Sequence, residues 1–514
     1  MIKHDVIAQD YIAYHADTKP NKLATMDMAS GRQFTYSEMN VRVGQLATYL
    51  KSRGISKGDR VAFLALNSTD ILDILFAAWR IGASALALNF RLTASELEYI
   101  VNDAGPDLLF YDHMFADVVE ELKPLVNINH YVGMDGLGGV ETDLEKAIAS
   151  SEPLLTREYQ TLDEECMLMY SSGTTGKPKG VIITHGMIFY SAINLLQRAQ
   201  NTAESVWLTV MPLFHIGGLN ISSLPALWIG GTTLVMRMFT SDAVLDAIDS
   251  SDLGITHTIL VPAMLNDMRF NSKAETTDFS RMVVSIAGGA SVPGELVKWW
   301  YSKGFVICDG YGMTESAASN CVAEPSDVPE FIGTSGKGLF LTEMCLKDPD
   351  GNDVKQGEVG EIWMRGPTIT PGYWNNEEAN KNSFVDGWFK SGDIACQDEG
   401  GRYIIEDRSK DMYISGGENV YPAEVESVLF GLEAIADVAV IGVQSDRWGE
   451  TGCAVVVLKD GMSLDIDEVH AYCEGKLGKF KFPNHLTFME ELPRTTTGKV
   501  KKFELRETIP TLIP

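Results

Sequence analysis

The sequence predicts an α/β protein: a large N-terminal domain of β-sheets flanked by helices, followed by a small α+β C-terminal domain. Three stretches carry this reading. Residues 61–89 run as strand (VAFLAL), polar turn, helix (DILDILFAAWRIG) and strand (ALALN), the alternation that builds parallel sheets with helices on both faces. The same rhythm returns over 207–236 and 255–307. Beyond Asp407 the pattern changes to a helix (AEVESVLFGL), two strands (VAVIGV, CAVVVL) and a helix (EVHAYCEGKLG). Between these parts, 351–365 reads as short strands and turns, and GGRYIIEDRSKD as a hairpin with a polar crossing. A boundary falls within Asp407–Asp411, giving domains 1–408 and 409–514.

A chain of 514 residues exceeds one small module. Its 42 Lys and Arg against 70 Asp and Glu leave a net charge of −28, too acidic for general nucleic-acid binding. Any polyanionic ligand must be met by local positive groups. The seven cysteines are scattered, with no CxxC pair, so neither a disulfide framework nor a structural zinc is expected. No run of eighteen apolar residues exists, so no transmembrane segment is expected, and a reducing cytoplasm is the default location. A homodimer is compatible with the sequence.

One pattern is a decoy. Gly54-Ile55-Ser56-Lys57-Gly58 fits GxSxG, but it lies between a helix and a strand, where Gly54 reads as the glycine that ends a helix.

The densest chemical signal is Tyr170-Ser171-Ser172-Gly173-Thr174-Thr175-Gly176-Lys177-Pro178-Lys179-Gly180. Glycines let backbone wrap a ligand, hydroxyls donate hydrogen bonds and lysines supply charge, as a polyphosphate cradle requires. It is not the Walker A pattern. Composition alone fits a phosphate cradle and a flexible Gly/Ser/Thr hairpin equally. A second signal is charge: between Lys476 and Lys502 there are seven cations and two anions, a positive tail on an acidic body.

YSSGTTGKPKG resembles the signature of the adenylate-forming superfamily: acyl-CoA synthetases, adenylation domains and firefly-type luciferases. Further stretches resemble its other motifs in order. Pro212-Leu213-Phe214-His215 resembles the acyl-pocket motif, and Asp309-Gly310-Tyr311-Gly312-Met313-Thr314-Glu315 the adenine and magnesium motif. The stretch from Gly387 to Asp393 resembles the ribose motif, and Asp407-Arg408-Ser409-Lys410-Asp411 the hinge. Ser415-Gly416-Gly417 and Thr495-Thr496-Thr497-Gly498-Lys499 complete the set.

The resemblance implies the adenylate-forming fold with a mobile C-terminal domain, and ATP, Mg²⁺ and coenzyme A as reactants and cofactor. It implies catalytic roles for Lys499, Thr314 and Glu315, with Glu315 on the metal, and places His215 against the acyl group. Ser171, Ser172, Gly173, Thr174, Thr175 and Lys179 would face phosphates. Gly289, Ala290, Asp309, Gly310, Tyr311, Gly312 and Met313 would line the nucleotide and acyl side, Asp393 the ribose, and Arg408 the ribose or phosphate. Lys410 would be the pivot, with Ser415, Gly416 and Gly417 along the thiol tunnel. Asp309 stands where many relatives have glutamine, and Lys410 where others have aspartate.

The expected reaction is AMP-forming ligation of a carboxylic acid to CoA. The apolar, glycine-bearing stretch 214–220 suits a medium or long fatty acid, with an aryl or phenylpropenoid acid as the alternative. A stand-alone adenylation protein loading a carrier is the competing class. Amino acids are disfavoured as substrates, because no acidic residue near Phe214-His215 would hold an ammonium group.

Overall fold

The computed structural model describes residues 6–136, 142–171, 178–408, 411–415, 418–445, 448–474, 476–495 and 498–509. Fourteen strands build two large sheets. They are β1 (Leu23–Asp27), β2 (Gln33–Thr35), β3 (Arg60–Leu64), β4 (Ser84–Ala87), β5 (Leu108–Asp112), β6 (His130–Met134) and β7 (Glu165–Ser171). The remainder are β8 (Lys179–Thr184), β9 (Val206–Thr209), β10 (Thr232–Val235), β11 (His257–Leu260), β12 (Val284–Gly288), β13 (Ile307–Tyr311) and β14 (Cys321–Val322).

The first sheet runs β6-β5-β3-β4-β7-β8, parallel except for the closing β7–β8 hairpin. The second runs β14-β13-β12-β11-β9-β10-β1-β2, parallel inside with an antiparallel strand at each edge. Residues 61–64 are buried without alternation, as a strand covered on both faces must be. The expected helix is found as Thr69–Arg80, and every one of its twelve residues is buried. Val61, Phe63, Leu75, Trp207 and Val235 share one core, so the helices between the sheets are packed from both sides.

Burying that helix takes three charges out of water, and each has a partner. Arg32 and Arg42 reach Asp70, Arg42 also meets Asp73 at 2.9 Å, and Arg80 meets Asp10 at 2.8 Å. Both arginines pair further with Glu145. A buried charge left unpaired would be severely destabilising, so this network fixes the helix against its neighbours.

A third, antiparallel sheet follows: β15 (Glu343–Lys347), β16 (Gly360–Arg365), β17 (Phe384–Val385), β18 (Trp388–Gln397) and β19 (Tyr403–Arg408). The hairpin expected around GGRYIIED is the β18–β19 pair. The last sheet holds β20 (Tyr413–Ser415), β21 (Glu418–Val420), β22 (Ile435–Ser445), β23 (Gly449–Leu458) and β24 (His485–Phe488). β22 and β23 outrun their apolar cores because they pair along their whole length, Ile435 to Leu458 at one end and Ser445 to Gly449 at the other. Conversely, the helix expected over 468–478 is Ile466–Cys473; the chain turns extended at Glu474, before two glycines of poor helix propensity.

This C-terminal part rests on the body through specific contacts. Asn266 Nδ2 donates to Ala436 O at 2.9 Å, and the Arg269 guanidinium lies over the Phe430 ring at 4.9 Å. Gly54, at φ +86°, ends the helix Tyr36–Ser52, and the Ser56 hydroxyl is spent on Asp59, so GxSxG here is a helix stop. All seven cysteines are free, five of them buried. Among the described residues no helix is long and apolar enough to cross a membrane.

Candidate active site

The site assembles where the β7–β8 hairpin meets the carboxyl ends of β9 and β11–β13, the usual place for ligands in open α/β sheets. β13 delivers the segment 309–315. Gly312 is required there, because a Cβ would lie 1.8 Å from Ala318 O. A single 3₁₀ turn, Thr314–Ser316, follows, and then Ala317 and Ala318 take left-handed backbone, φ +56° and +83°. Two consecutive non-glycine residues in that region need outside support. Ala317 O accepts from Asn220 Nδ2 at 2.7 Å and Ser191 Oγ at 3.1 Å, and Ala318 N–H donates to Met313 O. Asn220 itself lies in a π-helical turn, Gly218–Ser223.

The effect is to aim Glu315. Its carboxylate is buried, and Oε1 accepts from Tyr373 Oη at 3.0 Å and from Ser171 Oγ at 3.4 Å. Its carbonyl accepts from Thr370 N–H at 2.7 Å. Ser171, the last residue of β7, and Glu315 are thus brought together. Lys179, first residue of β8, holds its ammonium 5.1 Å from the Tyr373 ring centre. Ser172, Gly173, Thr174 and Thr175 lie outside the described residues, as do Lys410, Gly416 and Gly417.

On the nucleoside side, Tyr311 Oη donates to Asp393 Oδ2 at 2.8 Å, joining the expected adenine and ribose motifs. Burial lifts the Tyr311 phenol well above its usual range, so it stays a donor. Asp393 pairs across the β18–β19 ladder with Arg408. Burial pushes Asp309 up to about 7 against the opposing hydrogen bond from Ser335 Oγ at 3.1 Å. Gly310 pairs with Gly288, where a Cβ would sit 2.7 Å from Gly310 O, and Gly289, at φ +81°, turns the chain into Ala290.

On the side expected to take the acyl group, Phe214 stands edge-on to Phe90 at 5.1 Å, and His215 tilts against Phe214 at 4.4 Å. His215 is pushed down to about 3, first by burial and then by the charges of Lys499 and Arg91. Lys499, from the far end of the chain, is therefore close enough to His215 for its charge to be felt there. The residues flanking its loop are tied together: Lys499 N–H donates to Thr495 Oγ1 at 3.1 Å, and Arg494 holds Gly498 O and Asp437. Gly498 lies against the body, its absent Cβ 3.2 Å from Val261 Cγ2. Ser415 is not drawn to this cluster; it is buried in the C-terminal sheet, paired with Glu418 and Gly449.

Sequence reasoning missed Tyr373, Ser191 and Arg91, and read Asn220 only as part of the apolar stretch 214–220, not as the support of Ala317. Tyr373 follows Pro371-Gly372, which reads only as turn punctuation. Among the described residues no group of three His, Cys, Asp or Glu could hold a metal. One buried, oriented carboxylate, Glu315, fits Mg²⁺, which commonly takes one or two protein carboxylates together with substrate phosphates.

A two-lobed α/β body with this carboxylate, hydroxyl and lysine set defines a nucleotide-dependent acyl-activating enzyme. Residues 12–374 match the family described as AMP-binding enzyme, and 424–499 its C-terminal domain. The chain belongs to that family, the adenylate-forming superfamily, and is an acyl-CoA synthetase using ATP, Mg²⁺ and CoA. It is 38% identical to feruloyl-CoA synthase of Amycolatopsis sp. over 94% of this chain and 95% of that one. It is 35% identical to indoleacetate–CoA ligase of Aromatoleum aromaticum and 33% to the long-chain-fatty-acid–CoA ligase FadD13 of Mycobacterium tuberculosis, each over 97% of this chain and 98% of the relative. Among solved structures it matches ATP-bound MatB from Rhodopseudomonas palustris at a TM-score of 0.89 and 31% identity, covering 98% and 99% of the two chains.

Proposed function

We propose that this synthetase activates an acid bearing an aryl ring. The observation that carries the reading is the aromatic wall before His215, where Phe90 stands edge-on to Phe214 and stacks on Phe115 at 5.4 Å. Such rings gain from edge and offset contact with a further ring. The two relatives of higher identity, named for ferulate and indoleacetate, support it. The medium- or long-chain fatty acid expected from the sequence is the second reading. FadD13 favours it, and so does Gly217, where an added Cβ would meet nothing within 4 Å, leaving room beside His215.

In the first half-reaction a carboxylate oxygen bonds to the α-phosphorus of ATP, and pyrophosphate leaves with the electron pair of the broken P–O bond. Two anions must meet, so preorganised positive charge is the largest lever on the barrier. Lys499 supplies it, beside a His215 that stays neutral and serves as pocket wall. Ser171 to Thr175 and Lys179 cradle the phosphates, and Thr314 and Glu315 hold Mg²⁺, which when bound offsets phosphate charge. Asp393, fixed by Tyr311, accepts a ribose hydroxyl, with Arg408 beside it on the ladder. Gly289, Ala290 and 309–313 border the purine and the acyl carbonyl.

In the second half-reaction the CoA sulfur bonds to the acyl carbon, AMP departs with the C–O electron pair, and the thiol proton is released. Lys499 at the pocket obstructs that approach. Domain 409–514 therefore turns on Lys410 relative to 1–408, withdrawing Lys499 and presenting Ser415, Gly416 and Gly417 to the thiol arm.

Pyrophosphate release and CoA-thioester formation measured with ferulate, indoleacetate, decanoate and palmitate test the reading. An aryl acid is expected to lead in kcat/KM by about tenfold or more; a lead for palmitate or decanoate overturns it in favour of the second reading. Pyrophosphate release without any thioester would mean a protein-bound pantetheine is the acceptor.

A further inference from the structure

We infer that Asn67 is a positioning residue for acyl activation: from the first sheet it sets the segment that carries Phe214 and His215. The inference rests on the reading of Phe214-His215 as the acyl-pocket wall. Asn67 lies between β3 and the buried helix Thr69–Arg80, one residue before its N-cap Ser68, and both elements are immobilised by packing on both faces. Its side chain is 4% exposed and crosses to the loops of the second sheet. There Oδ1 accepts from Leu213 N–H at 2.8 Å, while Nδ2 donates to Met211 O at 3.0 Å and Met236 O at 3.1 Å.

These three backbone groups lie just beyond the ends of β9 and β10, where the ladder no longer serves them. A carboxamide suits the task because one side accepts and the other donates twice. Aspartate has the same shape, yet it would turn an acceptor toward two carbonyls and bury a charge; an aliphatic residue would leave Leu213 N–H without its acceptor. The held segment is also crowded by the turn at Gly218. Gly218 has no Cβ where one would lie 2.3 Å from Pro212 O and 2.7 Å from Met211 O. Asn67 holds the loop by hydrogen bonds and Gly218 lets it approach closely, so residues 211–214 are confined. His215 N–H then closes on Pro212 O at 3.1 Å. A shift of this bracket moves the pocket wall relative to Lys499, which changes where the acid carboxylate is held but leaves the nucleotide groups on β13 and β18 in place.

Asn67→Asp and Asn67→Ala, compared with the parent enzyme on whichever acid of the panel it uses best, provide the test. Both variants are expected to raise the KM for the acid, or lower kcat in pyrophosphate release, by about tenfold. The KM for ATP should stay within twofold and AMP should bind as in the parent. They are also expected to flatten the preference between ferulate and palmitate, which a general loss of stability would not do. Equal losses for acid and ATP, an unchanged acid KM with unchanged preference, or failure of both variants to fold would each overturn the inference, the last by making the carboxamide a folding bracket. A parent enzyme inactive on every acid would instead sink the functional reading, so the two failures are distinguishable.

Discussion

Replacing Gly498 with alanine tests whether the Lys499 loop does its work in the arrangement seen. Two costs act on the substitution. Gly498 sits at φ +81°, which for an L-residue costs about 1–2 kcal/mol. The new methyl would also lie 3.2 Å from Val261 Cγ2, closer than the favourable 3.5–4.0 Å, and Val261 is buried and unable to give way freely. Together about 1–3 kcal/mol opposes docking, and each 1.36 kcal/mol is tenfold in rate. Acid-dependent pyrophosphate release should therefore fall about ten- to a hundredfold. Thioester formation from supplied acyl-adenylate, which does not use this contact, should change less than threefold. The contact can be isolated from the backbone cost with Val261→Ala: the double variant should recover part of the loss relative to the two singles. Equal damage to both half-reactions, or no coupling between the two positions, would refute the argument. Lys499→Ala gives the outer limit, a loss of about 10²–10³ in adenylation if the amine meets charge developing in the transition state.

Tyr373→Phe removes a hydroxyl donor from the buried Glu315 carboxylate, and hydrogen bonds to charged groups are worth about 1.5–3 kcal/mol. The Mg²⁺ concentration for half-maximal adenylation should rise about tenfold; an unchanged Mg²⁺ requirement would remove Tyr373 from the site. Arg42→Ala leaves Asp73 without its 2.9 Å partner inside the core, so stability by denaturant titration should drop by about 3–5 kcal/mol, and a drop below 1 kcal/mol would mean the network is not structural. Asp309 titrates near 7 when folded and near 3.8 when unfolded, so folding takes up a proton between those values. Its contribution to stability is full below about 4, falls as pH rises towards 7 and levels off above; Asp309→Asn should lose that slope in thermal melts from pH 4 to 8, and an identical slope in the variant would reassign it.

Much of the fold was legible because parallel strands buried on both faces write themselves as unbroken apolar runs, as at 61–66. Segments such as 309–315 were legible only through their resemblance to the motifs of the adenylate-forming superfamily. What could not be read was the support for those residues. Tyr373 reaches Glu315, and Asn220 and Ser191 reach Ala317, only through the arrangement of sheets, and no local pattern marks a side chain whose partner lies far along the chain. The charged residues Asp70, Asp73 and Arg80 were illegible for a related reason. In isolation they suggest a solvated helix face, and only Arg32, Arg42 and Asp10 explain why they are inside.

The state of the cysteines bears on the intermediate this enzyme handles. Burial pushes all seven thiols up, Cys308, Cys396 and Cys453 to about 12. A mixed anhydride is an indiscriminate acyl donor, and an ionised sulfur within its reach would be acylated by it with release of AMP. By keeping its own sulfurs protonated, the chain avoids becoming its own acceptor, and the thiol that arrives from solution meets no internal rival.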